Sequence, residues 1–382
     1  MKIIISDIFL RKTFDVYNIV KRHYSVSQII LTYGNVSMFS KFKSFLIYGG
    51  NINRLRKNTP NLFLQDLLAI SAKYKNEDIV FLPVEEDTTE VFLSLSNTNS
   101  LPYNIKYLLP NYEVFQLSRN KYKLQEYCKN IGIPVPEKYS KKQALAKEPF
   151  KKLIVKPRSG SGSKGIQYIN NKSEIKLLEL FNEDEVIIQE RLENSVNVIG
   201  AFLLCRKGEV LQSYCHKRIR TSPPSGGVTV YSKLIENKEV INISQELLMS
   251  MNWDGLVMIE FLKDPSDNTY KIIEINPRIW GSILLSEFSG LQMLKSYIEL
   301  SAIMGNQVSE TRKDFHSDRY IRWVIPYDLK QFFTDLFKGQ LKYKRTCYIN
   351  FTYAGFFSAL FFLVFSVFSV SNVKKLILKL RE

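Results

Sequence analysis

Two apolar segments in the second half of the chain constrain the fold more than any other feature. They read GLVMIEFL at 255–262 and TYKIIEIN at 269–276, and a short polar segment, 263–268, separates them. Each has the length and the β-branched content of a strand, and the polar segment has the composition of a turn. The sequence therefore predicts an antiparallel hairpin.

The predicted hairpin carries oxygen ligands among its apolar residues. Because side chains alternate along a strand, Glu274 and Asn276 share one face, and Glu260 can lie opposite them on the neighbouring strand. Burying two carboxylates in apolar strands without a cation is costly, and Mg²⁺ prefers hard oxygen donors. We therefore predict that Glu260, Glu274 and Asn276 bind Mg²⁺. A salt-bridged hairpin without a metal is the alternative.

A loop rich in glycine and serine lies between two other predicted strands. LIVKP at 153–157 precedes the loop at 159–165, and IQYI at 166–169 follows it. Lys156 is near the end of the first strand, so its ammonium and the backbone N–H groups of the loop could bind phosphates together. The loop is neither a Walker A loop nor a dinucleotide fingerprint, because a strand follows it and not a helix. A linker or a hairpin tip is the alternative.

The N-terminal part has the pattern of a small parallel sheet, and we expect an α/β lobe up to about residue 110. Short runs rich in β-branched residues alternate with helical or loop stretches. These runs are 2–5, 28–32, 45–48 and 79–82. Glu85 and Glu86 follow the last run, where open α/β sheets place their ligands, although a solvated loop is the commoner outcome.

A helix is predicted at the boundary to the next lobe. It covers Leu117 to Ile131, with Ser118 as its N-cap and Gly132 at its end. Pro134 and Pro136 cannot continue it, so a new lobe begins there.

A basic strand precedes a turn rich in proline and glycine at 223–227. Guanidinium groups bind carboxylates through two parallel hydrogen bonds, so Arg218 or Arg220 is a candidate for holding an acid substrate. A solvent-facing basic strand is the alternative. His216, at the start of this stretch, is more often structural than catalytic.

Charge and cysteine content limit the classes of function. The chain has 53 Lys and Arg against 37 Asp and Glu, a net charge of +16, which suits nucleic acid, anionic membranes or polyphosphates. Without a long basic run or an RNA-binding signature, we predict no nucleic-acid partner. The 4 Cys and 3 His show no metal-ligand spacing, which argues against zinc or a disulfide framework and fits a reducing cytoplasm.

The segment 347–373 contains no charged residue and is rich in phenylalanine. About 20 apolar residues suffice to span a bilayer. Basic residues flank the segment on both sides, so both flanks favour the cytoplasmic side. We expect peripheral contact with the inner face of the membrane, aided by a basic amphipathic helix at 374–380. A helix buried in the core or in a dimer contact is the alternative.

Together these motifs resemble the ATP-grasp superfamily, and within it the carbamoyl phosphate synthase-like carboxylate–amine ligases. The resemblance covers roughly residues 80–300 and rests on several motifs in the order and approximate spacing of the family. The motifs are Lys121, LIVKPRSGSGSKG at 153–165, IIQERL at 187–192, GLVMIEF at 255–261 and IIEINPRIWGS at 272–282.

The resemblance implies an α/β fold in three parts. These are an N-terminal parallel-sheet lobe, a two-lobed ATP-grasp domain and a C-terminal extension that contains the apolar segment 347–373. The expected boundaries are 1–110, 111–305 (small lobe about 135–190, large lobe about 191–305) and 306–382.

The resemblance also implies a role for each motif residue. Lys121 and Lys156 would bind the phosphates of ATP, and Arg278 would face the transferring phosphoryl group. Glu260, Glu274 and Asn276 match the magnesium positions of the family. The mobile loop would close over the phosphates through Ser159, Gly160, Ser161, Gly162, Ser163 and Gly165.

The nucleotide base would bind next to Gln189, Glu190 and Leu192. The family usually places an acidic ribose ligand shortly afterwards. The corresponding stretch here offers only Glu193 and two asparagines, of which Asn197 is the cofactor-binding candidate. The ribose contact is therefore a departure from the family pattern.

The implied activity is that of an ATP- and Mg²⁺-dependent acid–amino acid ligase. It would activate a carboxylate as an acyl phosphate for attack by an amine. Two Mg²⁺ ions are expected, with Mn²⁺ as an alternative, together with small carboxylate and amine substrates and a homodimer. Two other hypotheses stay open: an ATP-binding regulator or scaffold without turnover, and another phosphoryl-transfer reaction on the same fold.

Overall fold

A computed structural model of the 382-residue chain describes most of its first 303 residues and three short segments beyond them. The described residues are 1–34, 48, 52–160, 165–192, 198–222, 227–303, 319–324, 328–339 and 347–349.

The N-terminal lobe is built on a parallel sheet of five strands in the order β3-β2-β1-β4-β5. The strands are β1 Lys2–Ile5, β2 Ile29–Tyr33, β3 Ile52–Arg54, β4 Ile79–Leu82 and β5 Ile105–Lys106. Helices α1 Arg11–His23, α2 Pro60–Lys73 and α3 Glu86–Asn97 connect them. The three central strands, β1, β2 and β4, are short apolar runs buried on both faces, as expected when helices cover a parallel sheet. The predicted parallel sheet is confirmed, but its third strand is β3 and not 45–48. Of 45–48 only Tyr48 lies within the described residues, and it is helical.

Two helices replace the single helix predicted at Leu117–Ile131. They are α4 Tyr112–Arg119 and α5 Lys121–Asn130. The prediction that Ser118 is the N-cap was wrong, because its hydroxyl donates to the carbonyl of Phe115 inside α4. Asn120 is extended instead, and its side chain caps α5 by accepting hydrogen bonds from two backbone N–H groups at 3.1 Å each.

The next lobe contains an antiparallel sheet of four strands in the order β6-β9-β7-β8. The strands are β6 Lys138–Tyr139, β7 Leu153–Pro157, β8 Gln167–Ile169 and β9 Val186–Glu190. Helix α6 Lys141–Ala146 and a 3₁₀ helix, Lys172–Leu180, pack against the sheet. The two strands predicted on either side of the glycine- and serine-rich loop are confirmed as β7 and β8.

The largest sheet has seven strands in the order β14-β13-β10-β11-β12-β15-β16. All neighbours are antiparallel except β15 and β16. The strands are β10 Ile199–Arg206, β11 Glu209–Ser222, β12 Val228–Ile235, β13 Gly255–Lys263, β14 Tyr270–Asn276, β15 Tyr320–Arg322 and β16 Cys347–Ile349. The helices of this part are α7 Lys238–Ser250, α8 Leu284–Phe288, α9 Met293–Ala302 and α10 Leu329–Phe337.

Each face of this sheet contributes to its own hydrophobic core. Leu203 and Val257 point toward α7. Their chain neighbours Phe202 and Met258 point the other way and share a core with Ile3 and Ile5 of the N-terminal sheet. The N-terminal lobe therefore packs on the face of the seven-stranded sheet that also carries the carboxylates of the hairpin.

The fold class predicted from the sequence is confirmed by this combination of a parallel sheet with two antiparallel ones. Of the apolar segment 347–373, only Cys347–Ile349 is described, as strand β16, and the rest lies outside the described residues. Among the helices that the structure describes, none has the length and apolar character needed to cross a membrane.

Candidate functional site

The hairpin of β13 and β14 places two carboxylates directly opposite each other. Glu260 pairs with Glu274 in the strand register, and Asn276 lies two residues further along β14. The amide of Asn276 donates to Glu274 Oε1 at 3.2 Å. On its other side Glu260 faces Gly200 of β10, where a Cβ atom would lie 2.9 Å from the ring of Phe202. The predicted hairpin and its shared polar face are confirmed.

Burial controls the ionisation of this carboxylate pair. It raises the pKa of Glu260 to about 7, with Arg218 opposing the rise and the charge of Glu274 adding to it. Burial also favours the neutral form of Glu274, but Lys121, the hydrogen bond with Glu260 and Lys156 hold its pKa below the usual value. Two carboxylates this close favour either a shared proton or a bound cation.

The donor set fits Mg²⁺. Glu260, Glu274 and Asn276 offer oxygen ligands, which Mg²⁺ prefers. Among the residues that the structure describes, no group of three or more His, Cys, Asp or Glu side chains is arranged to hold a metal ion. Proteins commonly hold Mg²⁺ with one or two carboxylates while phosphate oxygens and water complete the shell. The three residues therefore fit a metal that arrives together with a phosphate ligand.

Two lysines lie next to this pair. Lys121 begins α5, and its Nζ is 3.5 Å from Glu274 Oε2 and donates to the carbonyl of Gly160 at 2.8 Å. Lys156 lies on β7, where burial lowers its pKa to about 8, the charge of Glu274 opposes the shift and Lys121 adds to it. Two ammonium groups therefore share one carboxylate, which leaves positive charge available for an anionic ligand.

The glycine-rich loop is described only at its two ends. Ser159 and Gly160 are exposed. Gly165 has φ +72, and a Cβ there would lie 2.9 Å from the ring of Pro157, so this turn requires glycine. The loop candidates that lie outside the described residues are Ser161, Gly162 and Ser163.

The predicted adenine-pocket residues lie at the end of β9. Gln189 is buried, and Leu192 is half-buried. The carboxylate of Glu190 is already occupied, because it accepts a hydrogen bond from the backbone N–H of Glu137 at 2.8 Å and pairs with Lys271 at 3.2 Å. The backbone N–H of Glu190 is also occupied, because it donates to the carbonyl of Glu137 at 2.9 Å. Asn197, the ribose candidate, lies outside the described residues.

Arg278 follows β14 and meets the N-terminal lobe. Its Nε donates to Glu86 Oε1 at 2.9 Å, and its Nη2 donates to Asn276 Oδ1 at 3.0 Å. Glu86 in turn accepts a hydrogen bond from Arg119 at 3.3 Å. Sequence reasoning identified Glu86 only as part of an acidic loop, since 192 positions separate it from Arg278 along the chain.

The structure separates the two arginines that the sequence proposed together. Arg218 donates to Glu260 and so belongs to the site. The register with β12 shifts between Arg218 and Arg220, which is a bulge that turns Arg220 to the opposite face of the sheet. There Arg220 pairs with Asp328 at 3.0 Å and with Asp335 at 3.5 Å.

The charged side chains of the large sheet and its neighbours form two clusters. The site cluster consists of Lys121, Lys156, Arg218, Glu260, Glu274, Asn276 and Arg278. The anchor cluster consists of Arg220, Arg322, Asp328 and Asp335. In the anchor cluster Arg322 completes the charge balance, since it pairs with Asp328 at 2.6 Å and with Asp335 at 3.0 Å.

His216 lies beside the site cluster but does not titrate near neutral pH. Burial, assisted by the charge of Arg218, lowers its pKa to about 3. Its Nδ1 is 3.3 Å from the hydroxyl of Ser282, and its ring packs edge-on against Phe202. The neutral imidazole is therefore a packed core residue, in agreement with the expectation for a single histidine.

Comparisons with known proteins identify the domain that contains most of these residues. Residues 118–282 match the family model of the ATP-grasp domain. An uncharacterised protein of Methanocaldococcus jannaschii is 33% identical over 186 residues, which cover 46% of this chain and 44% of that protein. The 3-methyl-D-ornithine–L-lysine ligase of Methanosarcina mazei is 34% identical over 141 residues, which cover 36% of this chain and 32% of the ligase. The chain thus matches less than half the length of these two relatives.

Solved structures show the same fold at low sequence identity. The biotin carboxylase domain dimer of the Hydrogenobacter thermophilus 2-oxoglutarate carboxylase, determined with MgADP and bicarbonate, has a TM-score of 0.62 and 16% identity. The superposition covers 84% of this chain and 73% of that one. The fold class expected from the sequence motifs is therefore confirmed.

Proposed function

From the membership of this chain in the ATP-grasp superfamily through residues 118–282, we propose that it is an ATP-dependent carboxylate–amine ligase. The nucleotide binds between a small lobe, about 135–190, and a large lobe, about 191–305. A carboxylate takes the γ-phosphoryl group of ATP, and an amine then displaces phosphate from the acyl phosphate.

The composition of the site cluster carries this proposal. Four cationic side chains surround two carboxylates and an amide, and they come from helix α5, strand β7, strand β11 and the hairpin. A polyphosphate with a divalent cation brings the opposite charges to both sets at once. Desolvation disfavours the charged forms of Lys156 and Glu260, and a ligand of this kind would favour both charged forms.

In the reaction, the residues of the chain position oxygens and neutralise charge. Lys121 and Lys156 hold phosphate oxygens, Arg278 faces the transferring phosphoryl group, and Arg218 is the candidate for orienting the acid. Mg²⁺, held by Glu260, Glu274 and Asn276, would neutralise the charge of the phosphates and template their oxygens.

The bond changes balance without a nucleophile from the protein. A carboxylate oxygen forms a bond to the γ-phosphorus as the bond to ADP breaks. The amine nitrogen then forms the C–N bond, the acyl C–O bond breaks, phosphate leaves, and the amine proton passes to solvent or phosphate.

Two other functions differ from this one in what they release. A regulator or scaffold binds Mg-ATP without turnover. Another phosphoryl-transfer enzyme releases ADP with an acid alone and forms no amide. The similarity to the Methanosarcina mazei ligase favours the ligase function and an amino-acid-like amine. We also propose that the site binds two Mg²⁺ ions, with Mn²⁺ as an alternative, and that the chain forms a homodimer.

The C-terminal extension is the part proposed to contact an anionic membrane at its cytoplasmic face. Helix α10 exposes three apolar side chains, Phe333, Leu336 and Phe337, at spacings that place them on one side. Lys338 follows at the helix end. Flotation of the full chain with anionic but not neutral vesicles, weakened by Phe333→Ser with Phe337→Ser, is the expected result. Equal recovery of the chain in the floating fraction with and without vesicles would contradict the proposed membrane contact.

The ligase proposal is tested by ATP turnover of the purified chain with Mg²⁺ and pooled amino acids, hydroxy acids and amino sugars. The expected result is ADP and phosphate release that requires both an acid and an amine. Glu274→Ala serves as the inactive control. Tight Mg-ATP binding without turnover in any pool would favour the scaffold function, and no ATP binding would contradict the assignment.

A further inference from the structure

We propose that Glu86 is a positioning residue through which the N-terminal lobe orients Arg278 for phosphoryl transfer. The inference rests on the proposed function. It concerns a residue outside the matched family segment 118–282.

The guanidinium of Arg278 is held on several sides. Nε donates to Glu86 Oε1 at 2.9 Å, Nη2 donates to Asn276 Oδ1 at 3.0 Å, and Nη1 donates to the carbonyl of Ile279 at 3.4 Å. A guanidinium has five N–H bonds. Within the described part of the chain, these three contacts leave two N–H bonds for a ligand oxygen.

Glu86 is itself fixed before it reaches Arg278. It is the first residue of α3, where the helix dipole favours a carboxylate. Its second oxygen, Oε2, accepts a hydrogen bond from Arg119 Nε at 3.3 Å, and Arg119 Nη1 pairs with Glu90 at 2.6 Å. The side chains of Glu86, Arg119 and Arg278 are only 14%, 17% and 18% exposed. The chain of alternating charges is therefore partly desolvated, and its hydrogen bonds are strong enough to define one orientation.

A separate contact ties the N-terminal lobe to the same segment. Lys12 donates to the carbonyl of Ile279 at 2.9 Å and pairs with Glu85 at 2.8 Å. Because Lys12 contacts the backbone, it can hold the two lobes together without Glu86. Glu86 reaches this segment through the guanidinium of Arg278, so its removal should alter the direction of this side chain more than the docking of the lobes.

The consequence for the reaction is a loss of rate more than of ATP binding. Arg278 acts on charge that develops during transfer, while Lys121 and Lys156 hold phosphates in the ground state. A displacement of a reacting group by about 1 Å costs on the order of 100-fold in rate. Loss of the Glu86 contact should therefore lower kcat while leaving KM for ATP nearly unchanged.

The test compares Glu86→Ala with Asp87→Ala. Asp87 is the next residue of the same helical turn, carries the same charge, is 74% exposed and lies 3.8 Å from Arg119, so it is a matched control. For Glu86→Ala we expect kcat to fall by about 10- to 100-fold, with KM for ATP within about three-fold of the control. Glu86→Gln keeps one acceptor oxygen and should recover part of the rate.

A second variant protects the test if Glu86→Ala does not fold. Arg119→Gln leaves Glu86 in place but removes its support, and a smaller loss of kcat is expected. If wild type is active and the kcat of Glu86→Ala is equal to or higher than that of Asp87→Ala, the positioning role of Glu86 is overturned while the proposed function stands. Parallel losses of ATP affinity and thermal stability in Glu86→Ala would also overturn it, in favour of a structural role. A wild-type chain without turnover would remove the proposed function and this inference with it.

Discussion

The site cluster and the anchor cluster use the same side-chain chemistry on opposite faces of one sheet, yet their charges are balanced differently. In the anchor cluster two arginines meet two aspartates, and each aspartate accepts from both arginines. In the site cluster Lys121, Lys156 and Arg218 act on two carboxylates, those of Glu260 and Glu274. Arg278 contacts Asn276 and pairs with Glu86 outside the cluster. Burial lowers the pKa of Lys156 to about 8 and raises that of Glu260 to about 7. An arginine–carboxylate contact therefore does not by itself indicate a binding site. An excess of one sign of charge in a partly desolvated cluster does.

The largest expected effect separates the two clusters by activity. Glu274→Ala removes a magnesium ligand and the partner of both lysines, so we expect ATP-dependent turnover to fall on the order of 1,000-fold. The melting temperature should stay within about 2 °C of wild type, because the loss of the contacts with the lysines is offset by the loss of repulsion with the carboxylate of Glu260. Steady-state kinetics and thermal unfolding check this. Activity near that of wild type would remove Glu274 from the site.

The reciprocal substitution should affect stability and leave the reaction intact. Arg322→Met leaves Asp328 and Asp335 with one cation in a buried setting, and breaking a buried pair costs about 3–5 kcal/mol of unfolding free energy. Urea unfolding measures the loss. The folded fraction should keep turnover within about two-fold of wild type, and a large loss of activity in fully folded protein would link the anchor cluster to the reaction.

How much of this contrast could be predicted from the sequence depends on the range of the contacts. Alternation along two adjacent strands was enough to place Glu260, Glu274 and Asn276 together, because only a short turn separates the strands. The same alternation failed for Arg220, since it cannot detect the bulge after Arg218. The contact between Glu86 and Arg278 joins two lobes 192 positions apart, and no local pattern encodes it.

The break at Asn120 was also missed, for a different reason. Leu117 to Ile131 has continuous helical propensity, and both Ser118 and Asn120 are residues that cap helices well. The choice between them depends on tertiary contacts: the backbone N–H of Lys121 bonds to the carbonyl of Arg158 at 2.7 Å, which fixes the start of α5. This break places Lys121 at a helix N-terminus, facing the loop after β7.

The two clusters should respond to pH with opposite signs. Burial raises the pKa of Glu260 to about 7, so without divalent cations the folded state retains a proton that the unfolded state loses above its ordinary pKa of 4.5. The contribution of Glu260 to stability should therefore fall on the order of 1–3 kcal/mol as the pH rises from about 5 to 7.5. The buried neutral His216, whose pKa is lowered to about 3, contributes with the opposite sign up to its ordinary pKa of 6.5, so the contribution of Glu260 is the difference between wild type and a variant without this carboxyl. Asp335 behaves in the opposite way. Burial alone would raise its pKa, but Gln331, Arg220 and Arg322 lower it, so its contribution is lost only in acid.

Urea unfolding in EDTA at both pH values measures the effect, with Glu260→Gln as the control. Glutamine resembles the protonated carboxyl, so the variant should lose the pH dependence that Glu260 contributes and keep that of His216. The unfolding free energy of wild type relative to the variant should fall between pH 5 and 7.5, and a difference that stays constant or rises would contradict the assigned shift of Glu260.

The smallest predicted effect concerns nucleotide affinity. Burial lowers the pKa of Lys156 to about 8, so the metal-free chain loses this positive charge above that pH. A bound phosphate favours the protonated form, and the dissociation constant for ATP should rise about ten-fold per pH unit above 8. Calorimetry in buffers of different ionisation enthalpy should detect proton uptake on binding at pH 9. Lys156→Arg, which stays charged, should remove the slope.

Trapping the activated acid tests the central claim most directly. Hydroxylamine replaces the unidentified amine, so the chain is incubated with Mg-ATP, hydroxylamine and pooled carboxylic acids, and hydroxamates are measured by their coloured ferric complexes. If the chain forms an acyl phosphate, wild type should produce hydroxamate and ADP in equal amounts, and Glu274→Ala should produce neither. ADP released with an acid but without hydroxamate would contradict the acyl phosphate and favour a different phosphoryl-transfer reaction.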